Sequence, residues 1–320
     1  MKTNVPAAPT YRSNSESVGP TTAAPDEARG AAVQFLVQLA AEVSTGTVNL
    51  PCFPEIVIRI RNALADPATT PEQTVTIVGA EPRLAGRILQ TANSAAFNQT
   101  GKPLTDLRAA IIRLGHQFVQ SAAMAFAVQQ MKDEKSLSSI ARLLNELWLE
   151  SIAAASICRD VARRTKVNPE EAFLTGLLHG IGRLYIMVRA VGMLGALHNP
   201  KSFMDLVSEW HASIGKAVLE NWGFAEEMSA AVGHQEDRER KHRGDADLSD
   251  ILIAGIVLRK ALKTPTPRVV EMDGVQAFSI LGLSDKDCIC ILAYADRELQ
   301  SLQDALGCNS APLADARHRV

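Results

Sequence analysis

Apolar residues recur at intervals of three and four along most of this chain, with polar residues between them. The first such stretch includes Val33, Leu36, Val37 and Leu39, which share one side of a helix. Strictly alternating runs are absent, and only 5% of the residues are aromatic, whereas strands are enriched in aromatic and β-branched residues. The pattern predicts an all-α protein.

Prolines and capping residues indicate where helices begin. Thr70-Pro71-Glu72-Gln73 has the pattern of a helix N-terminus, with Thr70 as N-cap and Gln73 completing a capping box. Asn168-Pro169 starts another helix. Further helices are predicted over 56–64, 82–92, 107–114, 119–131, 136–164 (long or kinked), 183–198, 202–221, 225–234, 248–262 and 285–306.

The two ends of the chain differ in composition from its middle. Residues 1–28 are rich in Pro, Ala, Thr, Ser and Asn, and cannot bury enough apolar surface to offset their chain entropy. We predict a disordered tail there and a flexible C-terminus over 311–320. Polar residues near Asp133 separate a predicted N-terminal helical lobe, 29–134, from a C-terminal lobe, 135–310.

Composition and charge argue against several classes of function. A net charge of −2 does not indicate the basic surface that nucleic-acid binding requires. The basic cluster 238–243, which contains Glu239, is predicted to be a solvated loop. No apolar run approaches the roughly 18 residues of a membrane span, and no signal-peptide core is present. The five cysteines form no CxxC pair. We predict a cytoplasmic protein with no membrane or nucleic-acid partner and no cofactor.

Residues 174–184, Leu-Thr-Gly-Leu-Leu-His-Gly-Ile-Gly-Arg-Leu, form the most informative motif. They resemble the turn that carries the His-Asp pair of HD-superfamily phosphohydrolases. Here His179 is followed by Gly180, which has no side-chain ligand, whereas a carboxylate at that point can bridge two metal ions that activate water. The resemblance therefore favours a binding module over a hydrolase.

An ordered set of further motifs resembles the HDOD family, the HD-related output domain of bacterial signalling proteins. The matching segments are Leu50-Pro51 with Phe53-Pro54, 81–89 with 92–95 (Glu81 where Asp is usual), 110–115, 176–179, and 210–222. The resemblance covers about residues 35–262. It implies a two-lobed helical fold, with an N-terminal bundle packed on a C-terminal HD-like lobe.

The resemblance also implies which residues occupy the four ligand positions of an HD site. Glu150 stands where a His is usual, His179 is retained, and both Asp positions, Gly180 and Gly255, are glycine. Metal sites need at least three well-placed protein ligands, so we predict no catalytic metal.

A residual metal site is the weaker alternative. Glu150, His179, His211 and His234 could converge, because a carboxylate with imidazoles suits zinc or iron. His179 also has a structural role open to it, since a neutral imidazole can hydrogen-bond a carbonyl and pack on apolar neighbours.

Asn93, Ser94 and Arg113 are candidates for a recognition surface in a groove between the two lobes. Asn93 and Ser94 could instead cap the end of the preceding helix. Arg113 could be an exposed helix charge or could pair with a carboxylate such as Glu150.

These features predict a non-catalytic signalling module that binds signalling proteins in trans. The family resemblance implies bacterial signal transduction, in settings such as motility, stress responses or cyclic-dinucleotide signalling. The alternative is a divergent metal-dependent phosphohydrolase acting on a nucleotide or cyclic dinucleotide, which would need replacement ligands for Gly180 and Gly255. A third reading is a small-ligand sensor that uses the groove, and the sequence does not identify its ligand.

Overall fold

The computed structural model describes residues 25–46, 48, 66, 68–94, 97–98, 101–132, 134–191, 200–262 and 273–305. Every regular element in these ranges is helical, which confirms the all-α prediction. Several predictions fall outside the described residues: those for residues 1–24, for the prolyl segment 50–54, for the helix over 56–64 and for the C-terminal 311–320. In chain order the helices are α1 (Pro25–Ser44), α2 (Pro71–Gly79), α3 (Pro82–Ala92), α4 (Leu107–Leu114), α5 (His116–Lys132), α6 (Ala141–Ala162), α7 (Pro169–Leu178), α8 (Ile181–Ala190), α9 (Pro200–Asn221), α10 (Glu226–His234), α11 (Leu248–Leu262), α12 (Gln276–Ile280) and α13 (Asp285–Ala305).

Two helices begin at the capping residues that the sequence indicated. At α2 the Oγ1 of Thr70 accepts from the backbone N–H of Gln73 at 3.2 Å, and the Gln73 side chain accepts from the Thr70 N–H at 2.8 Å. At α7 the Oδ1 of Asn168 accepts from the N–H groups of Glu170 and Glu171, at 2.9 and 3.4 Å. These bonds satisfy N–H groups that a helix start leaves without partners.

Helix α6 is the central element of the C-terminal lobe and packs against α7, α11 and α13. The predicted long or kinked helix is a 3-10 helix at Lys135–Ile140 followed by α6. Small residues let α7 approach α6 closely, because a Cβ at Gly176 would lie 2.7 Å from the Cα of Ala155. This close packing places the end of α7, and with it His179, beside α6.

Helices α8 and α9 cross at a pair of glycines. A Cβ on Gly182 would lie 1.9 Å from the carbonyl oxygen of His211 and 2.7 Å from the backbone nitrogen of Gly215. Gly182 therefore has no room for a side chain. A Cβ on Gly215 would be tight as well, 3.0 Å from Cγ1 of Val232 and 3.3 Å from the backbone nitrogen of Gly182.

Helix α1 departs from the predicted division into lobes. It packs on α9 of the C-terminal lobe, with Arg189 paired to Glu42 at 2.8 Å and the Asn221 side chain donating to the Val43 carbonyl at 3.3 Å. The predicted N-terminal lobe, 29–134, is therefore reduced to α2–α5 in the described residues. Helix α1 also begins within the tail predicted over 1–28.

The two lobes share one hydrophobic core. Phe118 of α5 packs on Phe173 of α7, with ring centroids 5.8 Å apart. None of the described helices combines the length and apolar character that crossing a membrane requires.

Candidate functional site

Glu150, on α6, forms an ion pair with Arg259 on α11. Their Oε1 and Nη1 atoms are 3.1 Å apart, and the side chains are 21% and 6% exposed. The position that in the HD pattern holds a metal-binding His therefore holds a carboxylate that is neutralised by a guanidinium. An arginine stays protonated at any physiological pH, so this positive charge is permanent.

His179 lies at the end of α7 and is almost fully buried. Its Nδ1 is 2.7 Å from the carbonyl oxygen of Gly176, and because a carbonyl only accepts, Nδ1 carries the proton in this bond. Burial, together with the positive charges of Arg259 and Arg183, lowers the pKa of His179 to about 4. The ring is therefore neutral at pH 7.

The two glycines at the former Asp positions lie in different surroundings. A Cβ on Gly180 would be 3.3 Å from the Oγ of Ser151, next to Glu150 in the chain. A Cβ on Gly255 would instead be 2.5 Å from the Sγ of Cys158, and Cys158 lies about 12 Å along the α6 axis from Glu150. The structure thus brings Glu150, His179 and Gly180 together and leaves Gly255 outside.

Arg259 is the α11 residue that reaches this site, and the sequence analysis missed it. It lies four residues after Gly255, so the two share a face of α11, one turn apart. An arginine that directly follows the apolar run 251–258, on the buried face of the same helix, is the signal that could have indicated it, because such a charge needs a partner.

The four residues of the alternative metal site do not converge. Arg183 donates to the Nε2 of His211 at 2.8 Å and also reaches Glu236 at 3.4 Å. His234 instead faces Ser249 of α11, with Nδ1 and Oγ 3.4 Å apart. The ligand atoms of Glu150, His179, His211 and His234 therefore do not form a joint coordination sphere, because α8 and α11 supply other partners for them.

The residues present do not fit the divalent metal of an HD phosphohydrolase. Glu150 is neutralised by Arg259, Gly180 offers no ligand, and His179 has only Nε2 left over. Two guanidinium groups, of Arg183 and Arg259, are close enough to lower the pKa of His179. They would repel a cation at the same place.

The basic segment 238–243 is a loop exposed over most of its length, as predicted, but Arg240 and His242 fold onto the start of α11. Arg240 is only 15% exposed and binds Asp247 at 2.6 Å and Asp250 at 3.1 Å, while the Nε2 of His242 lies 2.7 Å from Asp250. His242, Asp247 and Asp250 are the one His/Cys/Asp/Glu group within the described ranges whose ligand atoms gather as in a metal site. The Arg240 guanidinium already binds both carboxylates, and the Asp247 side chain accepts from the N–H groups of Ser249 and Asp250, so the cluster is explained as an anchor for α11.

Asn93, Ser94 and Arg113 hold the end of α3 in place. The Asn93 side chain accepts from the N–H of Leu104 and donates to its carbonyl, both at 2.7 Å. Ser94 donates to the Thr91 carbonyl at 2.7 Å, and Arg113 donates to a carbonyl of α3 at 3.2 Å rather than pairing with Glu150. For Asn93 and Ser94 the geometry supports the structural role at the helix end, and Arg113 binds the same helix end, which is neither of its two predicted roles.

A groove of about 740 Å³ lies between the lobes, at a different place from the one predicted. It is bounded by α5, the start of α7, the connection between α9 and α10, α10, and the start of α11. We call it the inter-lobe groove; its walls include Gln117, Lys166, Glu170, Glu171, Phe224 and Glu227.

The fold defines an all-α protein of two helical lobes that share one core. The family model of the HDOD domain matches residues 50–238. The chain belongs to the HDOD family.

Solved structures support the same fold at low sequence identity. A Shewanella amazonensis protein, provisionally described as a metal-dependent phosphohydrolase, is 21% identical with a TM-score of 0.67, over 87% of this chain and 99% of that one. A Geobacter sulfurreducens HDOD protein of unknown function is 22% identical with a TM-score of 0.59, over 86% and 98% of the two chains. A Marinobacter aquaeolei protein, provisionally described as a signal transduction protein, is 18% identical with a TM-score of 0.57, over 87% and 66%.

An uncharacterised Treponema pallidum protein is 21% identical in an alignment 204 residues long, which covers 59% of this chain and 38% of that protein. The chain thus matches less than half the length of this relative.

Proposed function

We propose that this chain is a non-catalytic signalling module that binds another protein. The observation that carries the proposal is the Glu150–Arg259 ion pair, which puts a guanidinium where an HD enzyme would hold a cation. A guanidinium supplies positive charge, but it cannot lower the pKa of a water molecule as a bound metal does. With Gly180 beside it, the ion pair leaves this place without the carboxylates that would hold a water-activating metal.

Signalling is the role that the family and its relatives support. Membership of the HDOD family and the likeness to a Marinobacter protein provisionally described as a signal transduction protein point in this direction. The partner would be a signalling protein supplied in trans, and cyclic-dinucleotide networks, motility and stress responses are candidate settings. The C-terminal lobe would serve as a scaffold for binding, since its former active site is filled by its own side chains.

The competing function, a divergent phosphohydrolase, is tested by metal content and turnover. We expect the purified chain to contain no stoichiometric divalent metal and to leave phosphomonoesters and phosphodiesters intact in added Mn²⁺ or Mg²⁺. Gly180→Asp restores the His-Asp pair where a Cβ meets only the Ser151 hydroxyl, at 3.3 Å. We expect this variant to fold and to remain inactive, because Arg259 still neutralises Glu150.

Metal bound at one ion per chain, together with turnover that His179→Ala abolishes, would contradict the proposal. Affinity capture from the native host with the intact chain tests the other part of the proposal, that the chain binds another protein. A partner whose capture survives His179→Gln supports binding outside the former active site.

A further inference from the structure

The inter-lobe groove combines an apolar lining with acidic walls. Leu174, Met228 and Leu248 contribute buried apolar surface, and Phe224 adds a half-buried ring. A pocket of roughly 300–1,000 Å³ takes a drug-sized molecule or a few apolar side chains, and this groove, of about 740 Å³, lies in that range.

The charged residues of the groove are predominantly acidic. Four carboxylates line it, against the single ammonium group of Lys166. Ion pairs remove one charge of each sign, because Lys166 is paired with Asp245 at 3.0 Å and Asp247 with Arg240 at 2.6 Å. Three carboxylates, of Glu170, Glu171 and Glu227, are left. Glu171 and Glu227 are not within ion-pair distance of any cation in the described part of the chain, and the groove therefore favours a cationic ligand.

Glu170 gives a second, independent indication. One of its carboxylate oxygens is buried without a hydrogen-bond partner among the described residues. Burial raises the pKa of this carboxyl, and the charges of Arg159 and Arg163 offset the effect only in part. A further positive charge nearby would stabilise the ionised form.

We infer that the inter-lobe groove binds a basic amphipathic helix of the partner protein, with apolar side chains in the groove and Lys or Arg residues against Glu171 and Glu227. The inference rests on the proposed function, that the chain binds another protein. No strand occurs in the described ranges, so a strand of the partner has no sheet edge there to pair with. Helix-in-groove recognition, through anchors at i, i+3 or i+4 and i+7, is the mode that suits an apolar groove between helices.

Selection from a random peptide library tests the inference without a known partner. Displayed peptides of about 15 residues, some four helical turns, are selected on the full chain in about 0.15 M salt, where charges are screened beyond about 8 Å. We expect the selected peptides to be basic, with apolar residues at helical spacing. Their affinity is then measured by fluorescence anisotropy on three charge-reversed variants.

Glu227→Lys and Glu226→Lys form a matched pair, because both glutamates are exposed in the first turn of α10 and only Glu227 lines the groove. We expect Glu227→Lys and Glu171→Lys each to weaken binding about tenfold and Glu226→Lys to change it less than about twofold. Circular dichroism and thermal melting establish that all three variants are folded.

Acidic or neutral selected peptides, no selected peptide, or equal effects of the two α10 variants would overturn the inference. The inference would also be overturned if the chain forms a dimer that Glu227→Lys dissociates, because a second copy of the chain would then occupy the groove. If a native partner binds the Glu171→Lys and Glu227→Lys variants as tightly as the original chain, the groove assignment is wrong but the proposed function still holds. Metal-dependent turnover would instead contradict the proposed function.

Discussion

His179 shows how far the surroundings of one side chain can change its chemistry. Its pKa of about 4 lies below the ordinary histidine value of 6.5, so the unfolded chain binds a proton that the folded chain excludes. The resulting stability is fully present above pH 6.5 and declines as the pH falls towards 4, by up to about 3 kcal/mol.

We therefore expect His179→Gln, whose amide can still donate to the Gly176 carbonyl, to reduce this loss. Urea unfolding of both proteins between pH 7 and pH 4 measures the difference. The pKa assignment is wrong if both proteins lose the same stability over this range.

Asn93 has a structural role that its position in the sequence left open. Replacing it with Ala leaves both backbone groups of Leu104 without their partner. Because unpaired buried polar groups are costly, we expect Asn93→Ala to lower the free energy of unfolding by about 2 kcal/mol. Asn98→Ala, which removes one bond to Lys102 at an exposed site, should cost no more than about 0.5 kcal/mol. Equal losses in urea unfolding would contradict this ranking.

At the scale of helices, the packing of α8 on α9 is decided by backbone contact. A Cβ at Gly182 would overlap the His211 carbonyl oxygen, at 1.9 Å, whereas one at Gly180 meets only the Ser151 hydroxyl, at 3.3 Å. We expect Gly182→Ala to destabilise the protein by about 3 kcal/mol or more. Gly180→Ala should stay within about 1 kcal/mol, since it also restricts the unfolded chain. Denaturant unfolding of the two variants tests this, and a tolerated Gly182→Ala would mean that the helices separate more easily than their contacts indicate.

At the scale of the whole molecule, α1 is part of the C-terminal lobe. Leu36, Leu39 and Val43 are each at most 2% exposed, and burying such a side chain contributes about 1.5–3 kcal/mol. Residues 1–24 contain none of these side chains, so deleting them should change the free energy of unfolding by less than about 1 kcal/mol. Deleting residues 1–44 should lower the melting temperature by many degrees or prevent soluble expression. Equal melting temperatures for the two truncations would show that α1 adds nothing to the core.

The sequence by itself determined the helical class, several helix starts and the absence of a carboxylate at position 180. Helix periodicity and capping depend on residues within three or four positions of each other, so Thr70, Asn168 and the apolar runs carry this information locally. The absence of a carboxylate at Gly180 is likewise a property of one position. Family motifs added the two-lobed fold, because their order along the chain follows the order of the helices.

Only the tertiary structure decided which distant side chains meet. Arg259 pairs with Glu150, α1 docks on α9, and an acidic groove opens between α5, α7 and α10. Each depends on how helices far apart in the chain cross, which is set by close contacts such as Gly176 on Ala155 and Gly182 on His211. Periodicity identifies the buried face of a helix, but it does not identify the helix that covers that face. The charged residues on these faces therefore acquire partners that no local pattern specifies.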